Sequence, residues 1–328
     1  MTGRITLLTT RRAAAALGVA GVAAVAPALA DTQLTLKSAS SSSSYYVMTV
    51  QLAEMLRAES DGDIRPTVEE SQGSVQNVME AGTRPGAFLF TSPPNLIDDA
   101  FAGNEPFDQG GDYDGIRTLF PMPFITIHFV VRDDSGIESV SDLAGHTFIP
   151  GGTGTFCATQ TATVLDLLDL SDDLDMPEME LAGAPDALRN NQADGYATCS
   201  SHPTPQVQEL ASTLDVRVLS FTEEERERII SENPAAGAVT IAGGTYSGQD
   251  EDVETVAVPV GAYGTNMDDE TARFVVEQFW QQREGLAEEN PWWAGVTSEL
   301  VAQLSAPLHP GVIDFYEEQG VEIPDDMR

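Results

Sequence analysis

Lysine is all but missing from this chain: its 328 residues include one, Lys37. Lys and Arg together total 16 against 52 Asp and Glu, a formal net charge of −36, and three of the basic residues, Arg4, Arg11 and Arg12, stand near the N-terminus. Such a surface repels phosphate backbones and anionic lipid, so nucleic acid is not expected as a partner. A solvated acidic coat fits an organism living in high salt, where counterions screen self-repulsion, and it says little about a ligand. Histidine is scarce, and His128, His146, His202 and His309 show no metal spacing such as H-E-x-x-H, so neither metal nor cofactor is expected. Beyond residue 30 no segment approaches about 18 uninterrupted apolar residues, the length a spanning helix needs.

What is present begins with an export signal. Arg4, Arg11 and Arg12 precede AAAALGVAGVAAVA, and Ala28-Leu29-Ala30 places small residues at a cleavage position before Asp31. The Arg11-Arg12 pair leaves both the general and the twin-arginine route open. An exported, periplasmic protein meets an oxidising compartment, where Cys157 and Cys199 can pair.

The mature sequence alternates strand and helix patterns, which predicts an α/β fold. QLTLKSA is a strand. Tyr45, Met48, Leu52 and Met55 fall on one helical stripe, so the five serines Ser40 to Ser44 lie between a strand and a helix and form a loop, not an interdomain linker. DIRPTVEES is followed by QGSVQNVMEAG, where Ser74 is a candidate cap for a helix stopping near Gly82, and then by the apolar run GAFLFTS. NEPFDQGGDYDG, residues 104–115, is expected to be a surface loop; its Asp112, Asp114 and Gly115 resemble part of a calcium loop without the remaining ligands. PFITIHFVVRDD, Pro123 to Asp134, suits a buried strand, after which SVSDLAGHTFIPGGTGTFCATQTATVLDLLDL predicts a short capped helix, a strand, a glycine turn and a second helix. Further on, APDALRNNQADGYATC predicts a helix ending at Gly195 and a strand, VRVLSF a strand, 222–236 a surface helix ending before Pro234, and DVETVAVPVGAYGT a strand. DDETARFVVEQFWQQREGL is an amphipathic helix with Val275, Val276, Phe279 and Trp280 on its apolar side.

Three segments share one design, in which a strand ends, small polar or glycine residues follow, and a helix starts: Ser40 to Tyr46, Ser71 to Asn77, and Gly151 to Cys157. Helix N-termini present free N–H groups and the positive end of a dipole, so each is either an anion site or a plain capped helix start. In an open α/β sheet such loops gather at the carboxyl ends of the strands, where one pocket could collect them. GGTGT lacks the lysine of a phosphate-binding loop. Cys157 near a helix start, with His202 as base, is the candidate for an exported cysteine-dependent hydrolase, and the two cysteines together for a two-base racemase; a disulfide or two core thiols are the alternatives. Pro291-Trp292-Trp293 is a packed helix end or, alternatively, a sugar platform.

Read with their neighbours, these loops resemble the TAXI family, the extracytoplasmic solute receptors of one class of TRAP transporter, over nearly the whole mature chain. SSSSSYY stands where that family has a Gly/Thr-rich loop with two aromatics, QGSVQNV resembles its T-x-G-S-x-x-N segment, and SGIESVSDLAGHTFIPGGTGT resembles its S-G-I-x-S-x-x-D-L-x-G segment and following G-S-G-T loop. PLHPGVIDFYEEQG resembles its H-P-G-A segment. The chain departs from the pattern at the serine-for-glycine first loop, at Thr91-Ser92-Pro93 where many members have Gln-Ser-Asp, and at Cys199-Ser200-Ser201-His202-Pro203.

The resemblance implies a two-lobed fold of the periplasmic-binding-protein type, type II-like, with two crossing strands as hinge and an interlobe ligand cleft. Lobe one is expected at residues 31–124 with 253–328, and lobe two at 125–252. The implied activity is non-enzymatic: binding a small organic anion, by default a C4–C5 dicarboxylate or acidic amino acid, for delivery by a monomeric receptor to TRAP-type permease subunits. The implied ligand-binding positions are Ser41, Ser44, Tyr45, Ser74, Asn77 and Thr91 in lobe one, and Thr153, Gly154, Thr155 and Phe156 in lobe two, with amides at Thr155 and Phe156 as donors.

Overall fold

Two strands carry the architecture, and their composition explains why. β4 (Arg117–Arg132) and β9 (Val253–Thr265) are rich in β-branched and aromatic residues and are buried along nearly their whole length. At about 3.3 Å per residue they reach roughly 50 and 40 Å, far beyond an ordinary strand. The computed structural model describes residues 32–233 and 235–328. The expected export signal and cleavage position lie outside the described residues.

The remaining strands are β1 (Thr32–Lys37), β2 (Ile64–Glu69), β3 (Phe88–Ser92), β5 (Phe148–Ile149), β6 (Gly195–Ser200), β7 (Val216–Val218) and β8 (Gly237–Ile241). They form one sheet in the order β2-β1-β3-β9-β4-β6-β5, with β7 pairing β4 and β8 pairing β9. β1 runs parallel to β2 and β3, whereas β9 is antiparallel to β3, β4 and β8. Along β4 the partners change: residues 117–126 pair β9, and residues 126–131 pair β6. The register shifts between Met122 and Ile125, beside Pro123 and opposite Pro259. Proline has no N–H for the ladder, so Pro121, Pro123 and Pro259 thin the hydrogen bonding where the two long strands cross.

The apolar side chains divide at the same crossing. Phe120, Met122 and Ile125 of β4 and Val258, Val260 and Tyr263 of β9 join one large cluster. Ile127, Phe129 and Val131 with Val256 join a second, and Val130, Val218 and Val253 a third. Helices α1 (Ser44–Glu59), α2 (Ser74–Ala81), α3 (Pro94–Ala102), α8 (Asp269–Glu289) and α9 (Pro310–Glu318) belong with the first cluster; α4 (Phe156–Leu167), α5 (Ala184–Arg189), α6 (Pro205–Ala211) and α7 (Glu223–Glu232) belong with the other two. The α1 stripe of Tyr45, Met48, Leu52 and Met55 is buried throughout.

Several elements differ from the sequence-based expectation. β4 begins six residues before Pro123, because its prolines sit at a bulge rather than at a strand start. The helix expected to reach Gly195 stops at Arg189, where Asn190 caps it and Asn191 takes a left-handed conformation (φ 55°). Ser74 is the first residue of α2 and Gly73, at φ 118°, is its cap position. In the 104–115 loop, Phe107 and Tyr113 are buried in edge-to-face contact. Trp293 is fully buried against Phe279 and donates its indole N–H to Gln51 Oε1 (3.1 Å), so it packs the helix end.

The H-P-G stretch ties α8 to α9. His309 caps α9: its Nδ1 accepts from the Gly311 N–H (3.2 Å) while Nε2 donates to the Met267 carbonyl (3.0 Å). A methyl group at Gly311 would overlap the backbone of Asp269, the first residue of α8. Gly311→Ala is therefore expected to push α9 from α8 and cost about 1–3 kcal/mol of unfolding free energy, measured by urea denaturation. A loss under about 0.5 kcal/mol would mean that the contact yields freely.

Candidate functional site

The three loops that each join a strand to a helix meet at one cavity of about 70 Å³. The first contributes Ser38, Ser40, Ser42, Ser43 and Tyr45, the second Gln72, Gly73 and Ser74, and the third Thr155, Phe156 and Cys157. Thr198 to Ser200 at the end of β6, with Thr204 and Gln206 at the start of α6, close the far side. Ile125 of β4 and Val260 of β9 form the floor at the strand crossing, and Thr91 and Leu181 complete the wall. No lining residue carries a charge.

Two hydroxyls at this cavity are buried without any hydrogen-bond partner among the described residues: Ser38 Oγ, in a residue 2% exposed, and Thr204 Oγ1, in a residue fully buried. An unpaired buried hydroxyl costs roughly 1–3 kcal/mol, so each is an unmet binding capacity. They stand on opposite sides of the cleft. Asn77 fixes the first, since its amide nitrogen donates to the carbonyls of Ser38 (2.7 Å) and Thr91 (3.1 Å), locking the ends of β1 and β3 to α2. A buried relay fixes the second. His128 Nδ1 donates to the Thr126 carbonyl (3.1 Å), which leaves Nε2 to accept from Tyr246 (2.8 Å), and the Tyr246 oxygen accepts the Thr204 N–H (3.1 Å).

The serine run divides between lining and latching. Ser44 Oγ donates to the Ser201 carbonyl (2.9 Å), so at the 2.6 Å contact between Ser44 and Ser200 the donor is Ser200. Ser200 has then spent its proton, and Ser43 is the donor at the 3.0 Å contact with Ser200. Amides complete the arrangement: Ser44 N–H donates to Ser200 Oγ (3.3 Å), Tyr45 N–H to Ser43 Oγ (3.2 Å), and Gln206 N–H to the Ser42 carbonyl (3.2 Å). One directed chain of hydroxyls thus joins the N-terminus of α1 to the loop after β6.

Each residue singled out from sequence has a definite place. Tyr45, Ser74, Thr91, Thr155 and Phe156 line the cavity. Ser44 and Asn77 are buried beside it with their donors committed, to Ser201 and to backbone carbonyls. Ser41 is exposed and gives its amide to Glu70 (3.0 Å); Thr153 and Gly154 are exposed, outside the lining. The Thr155 amide is not a free donor, because it bonds the Gly152 carbonyl (3.2 Å), and its hydroxyl caps α4 at Ala158 N–H. Burial pushes the Tyr45 phenol well above its ordinary range, and its hydroxyl donates to the Pro123 carbonyl. Ser38, Ser200, Thr204 and Gln206 were not identified as site residues from the sequence; only the small polar residues beside prolines at 200–205 mark Ser200 and Thr204.

Cys157 and Cys199 form a disulfide, with Cα atoms 5.4 Å apart, that is part of the cavity wall. Gly151 packs on it: with φ 118°, an added Cβ would stand 2.8 Å from the Cys157 sulfur. Neither sulfur is a nucleophile, and His202 Nδ1 contacts Thr126 Oγ1 (2.9 Å). Among the described residues no group of three or more His, Cys, Asp or Glu is placed to hold a metal. Closing a loop of 42 residues' separation restricts the unfolded chain by about 4 kcal/mol. Reduction, or Cys157→Ser with Cys199→Ser, is expected to lower unfolding free energy by 2–4 kcal/mol, and equal denaturation midpoints for oxidised and reduced protein would overturn this.

His128 carries a pH dependence. Burial, with His202 nearby, pushes its imidazole down to about 3. The unfolded chain binds a proton near pH 6.5 that the folded chain refuses, so stability is full above that pH and falls as pH drops towards 3. Burial also lowers His202, in the same direction. The expected slope between pH 6 and 5 is about 1–2 kcal/mol per pH unit, read by urea denaturation, and His128→Phe should flatten it; a slope unchanged by that substitution would locate the proton uptake elsewhere.

Comparison with known proteins adds the family. Residues 36–320 match the NMT1-like family. Among solved structures, the periplasmic binding protein BugD superposes with a TM-score of 0.52 at 12% identity, over 89% of this chain and 98% of that one. An extracytoplasmic solute receptor of Bordetella pertussis binding pyroglutamic acid, DctP7, gives 0.46 at 10% identity over 89% and 87%. The alkanesulfonate-binding protein SsuA of Xanthomonas axonopodis pv. citri gives 0.46 at 15% over 92% and 96%. No helix among the described residues is long and apolar enough to cross a membrane. The chain belongs to the NMT1-like family and has the α/β fold of a two-lobed periplasmic binding protein.

Proposed function

We propose that the mature chain is an exported, non-catalytic receptor that closes its lobes on a small organic anion, a carboxylate, and delivers it to a TRAP-type permease. The observation that carries this reading is the cavity itself: three helix-start loops converge there, and Ser38 and Thr204 hold unpartnered hydroxyls on its two sides. The lobes are residues 31–124 with 253–328, and 125–252. Their hinge is the crossing of β4 and β9, where proline removes ladder bonds and the register shifts. The likeness of QGSVQNV, GGTGT and HPG to TAXI receptors supports the choice of permease. An exported cysteine enzyme finds no support, since the thiol it needs is bonded in the disulfide.

In high salt, calorimetric titration of the purified mature protein with C2 to C6 mono- and dicarboxylates, acidic amino acids and small sulfonates is expected to give one saturable, one-to-one hit without consumption of the compound. Turnover of the bound compound would overturn the receptor reading. So would saturable binding that survives unchanged in a variant with Phe156→Asp, which puts a carboxylate into the cavity.

A further inference from the structure

The lining says more about the solute than that it is an anion. No arginine or lysine reaches the cavity. The chain's single lysine, Lys37, is buried and bonded to Glu80 at 2.5 Å, and Arg84 is paired with Glu69 (2.6 Å) and Glu80 (3.1 Å). The rim adds negative charge: Glu70 accepts the Ser41 amide, and Glu180 accepts from Gln72 at 3.4 Å.

Free donors for an anionic head come from two places. α2 begins at Ser74 with no side chain capping its amides, whereas α1 is capped by Ser43 and α4 by Thr155. Ser38 stands beside that uncapped terminus, because Ser71 Oγ (3.0 Å) and Asn77 Nδ2 (2.7 Å) both donate to its carbonyl, and its own hydroxyl is unpartnered. Thr204 brings the second unpartnered hydroxyl from the opposite lobe. Elsewhere the apolar wall is Ile125, Val260, Phe156, Leu181 and the disulfide, and the hydroxyls of Ser43, Ser200 and Thr155 have their protons committed to Ser200, to Ser44 and to the Gly151 and Gly152 carbonyls, so a second carboxylate finds few free donors. A space of about 70 Å³ holds only about five to seven water-sized groups.

We propose that the cavity takes a short monocarboxylate of two to four carbons, its single carboxylate on α2, Ser38 and Thr204 and its alkyl end on Ile125 and Val260, and that it rejects dicarboxylates. This rests on the receptor reading and narrows it. Thr204 is the specificity-determining residue contributed by the second lobe.

The test is calorimetry with propionate, lactate, succinate, L-glutamate and propionamide on the wild type, Thr204→Val and Ser38→Ala. Propionate or lactate should bind one to one, at least tenfold tighter than succinate, glutamate or the uncharged propionamide. Thr204→Val should weaken that binding at least tenfold while leaving the ligand-free melting temperature unchanged or higher, since it removes an unpaired buried hydroxyl; Ser38→Ala should weaken it similarly. Succinate or glutamate binding as tightly as the monocarboxylates would overturn this inference and leave the receptor reading intact. Propionamide matching propionate would overturn the anionic head, and undiminished binding by both variants would overturn the placement. No saturable binding of any probe would overturn this inference, and only silence across the wider solute panel as well would count against the receptor reading.

Discussion

The ladder between β4 and β9 is the interaction on which the rest depends. Its pairs, from Arg117 to Thr126 on β4, carry side chains of the first apolar cluster, the two strands continue past it into the others, and the ladder fixes which side chains face the cavity. Successive residues of a strand point to opposite faces, so Ile125 meets the cavity while its neighbour Phe124 faces the groove behind the strands with Pro259 and Ala257. The proline-bearing bulge lies at this point. A stiffer crossing would hold the two cores rigidly, and a weaker one would lose the register that sets Ile125 beside Val260.

Closure across such a crossing needs contacts strong enough to define a state and weak enough to release it. The hydroxyl chain from Ser43 through Ser200 and Ser44 to the Ser201 carbonyl meets that condition, together with the Ser42 to Gln206 backbone bond. Each such bond contributes about 0.5–1.5 kcal/mol net, because water satisfies the same groups when the lobes part. Trp292 adds a contact at the rear, donating its indole N–H to the Pro203 carbonyl at 3.0 Å. No ion pair among those identified in the described residues joins the serine loop to the loop after β6, so the contacts between them are insensitive to the salt that screens the acidic surface.

Much of this was legible from local pattern. The α1 stripe, the α/β alternation and the three helix-start loops follow from spacing and cap chemistry, and those loops do meet at one cavity. What escaped has physical causes. β4 was cut short at Pro123 because proline is a strand breaker in isolation, and only a bulge opposite Pro259 reconciles it with a continuous strand. β8 is short, glycine- and alanine-rich, and made by its pairing with β9. Ser200 and Thr204 gain their meaning from His128, Tyr246 and the serine loop, partners 42 to about 160 residues away that no local window contains. Within the serine run, sequence gives five equivalent hydroxyls; tertiary contacts make Ser41 a surface residue, Ser44 a buried latch, and Ser40, Ser42 and Ser43 part of the lining.

The contrast between surface and cavity then has a single explanation. A chain with a formal charge of −36 repels anions at long range, most strongly at low salt. At short range its cavity presents hydroxyls and helix amides, whose partial charges need no counterion. A buried arginine would bind an anion harder but would itself need pairing whenever the cavity emptied, and in an acidic protein the nearest carboxylates, Glu70 and Glu180, would take it. Neutral donors avoid that competition. The same carboxylates are spent on Ser41 and Gln72 at the rim, so neither competes for the donors inside the cavity.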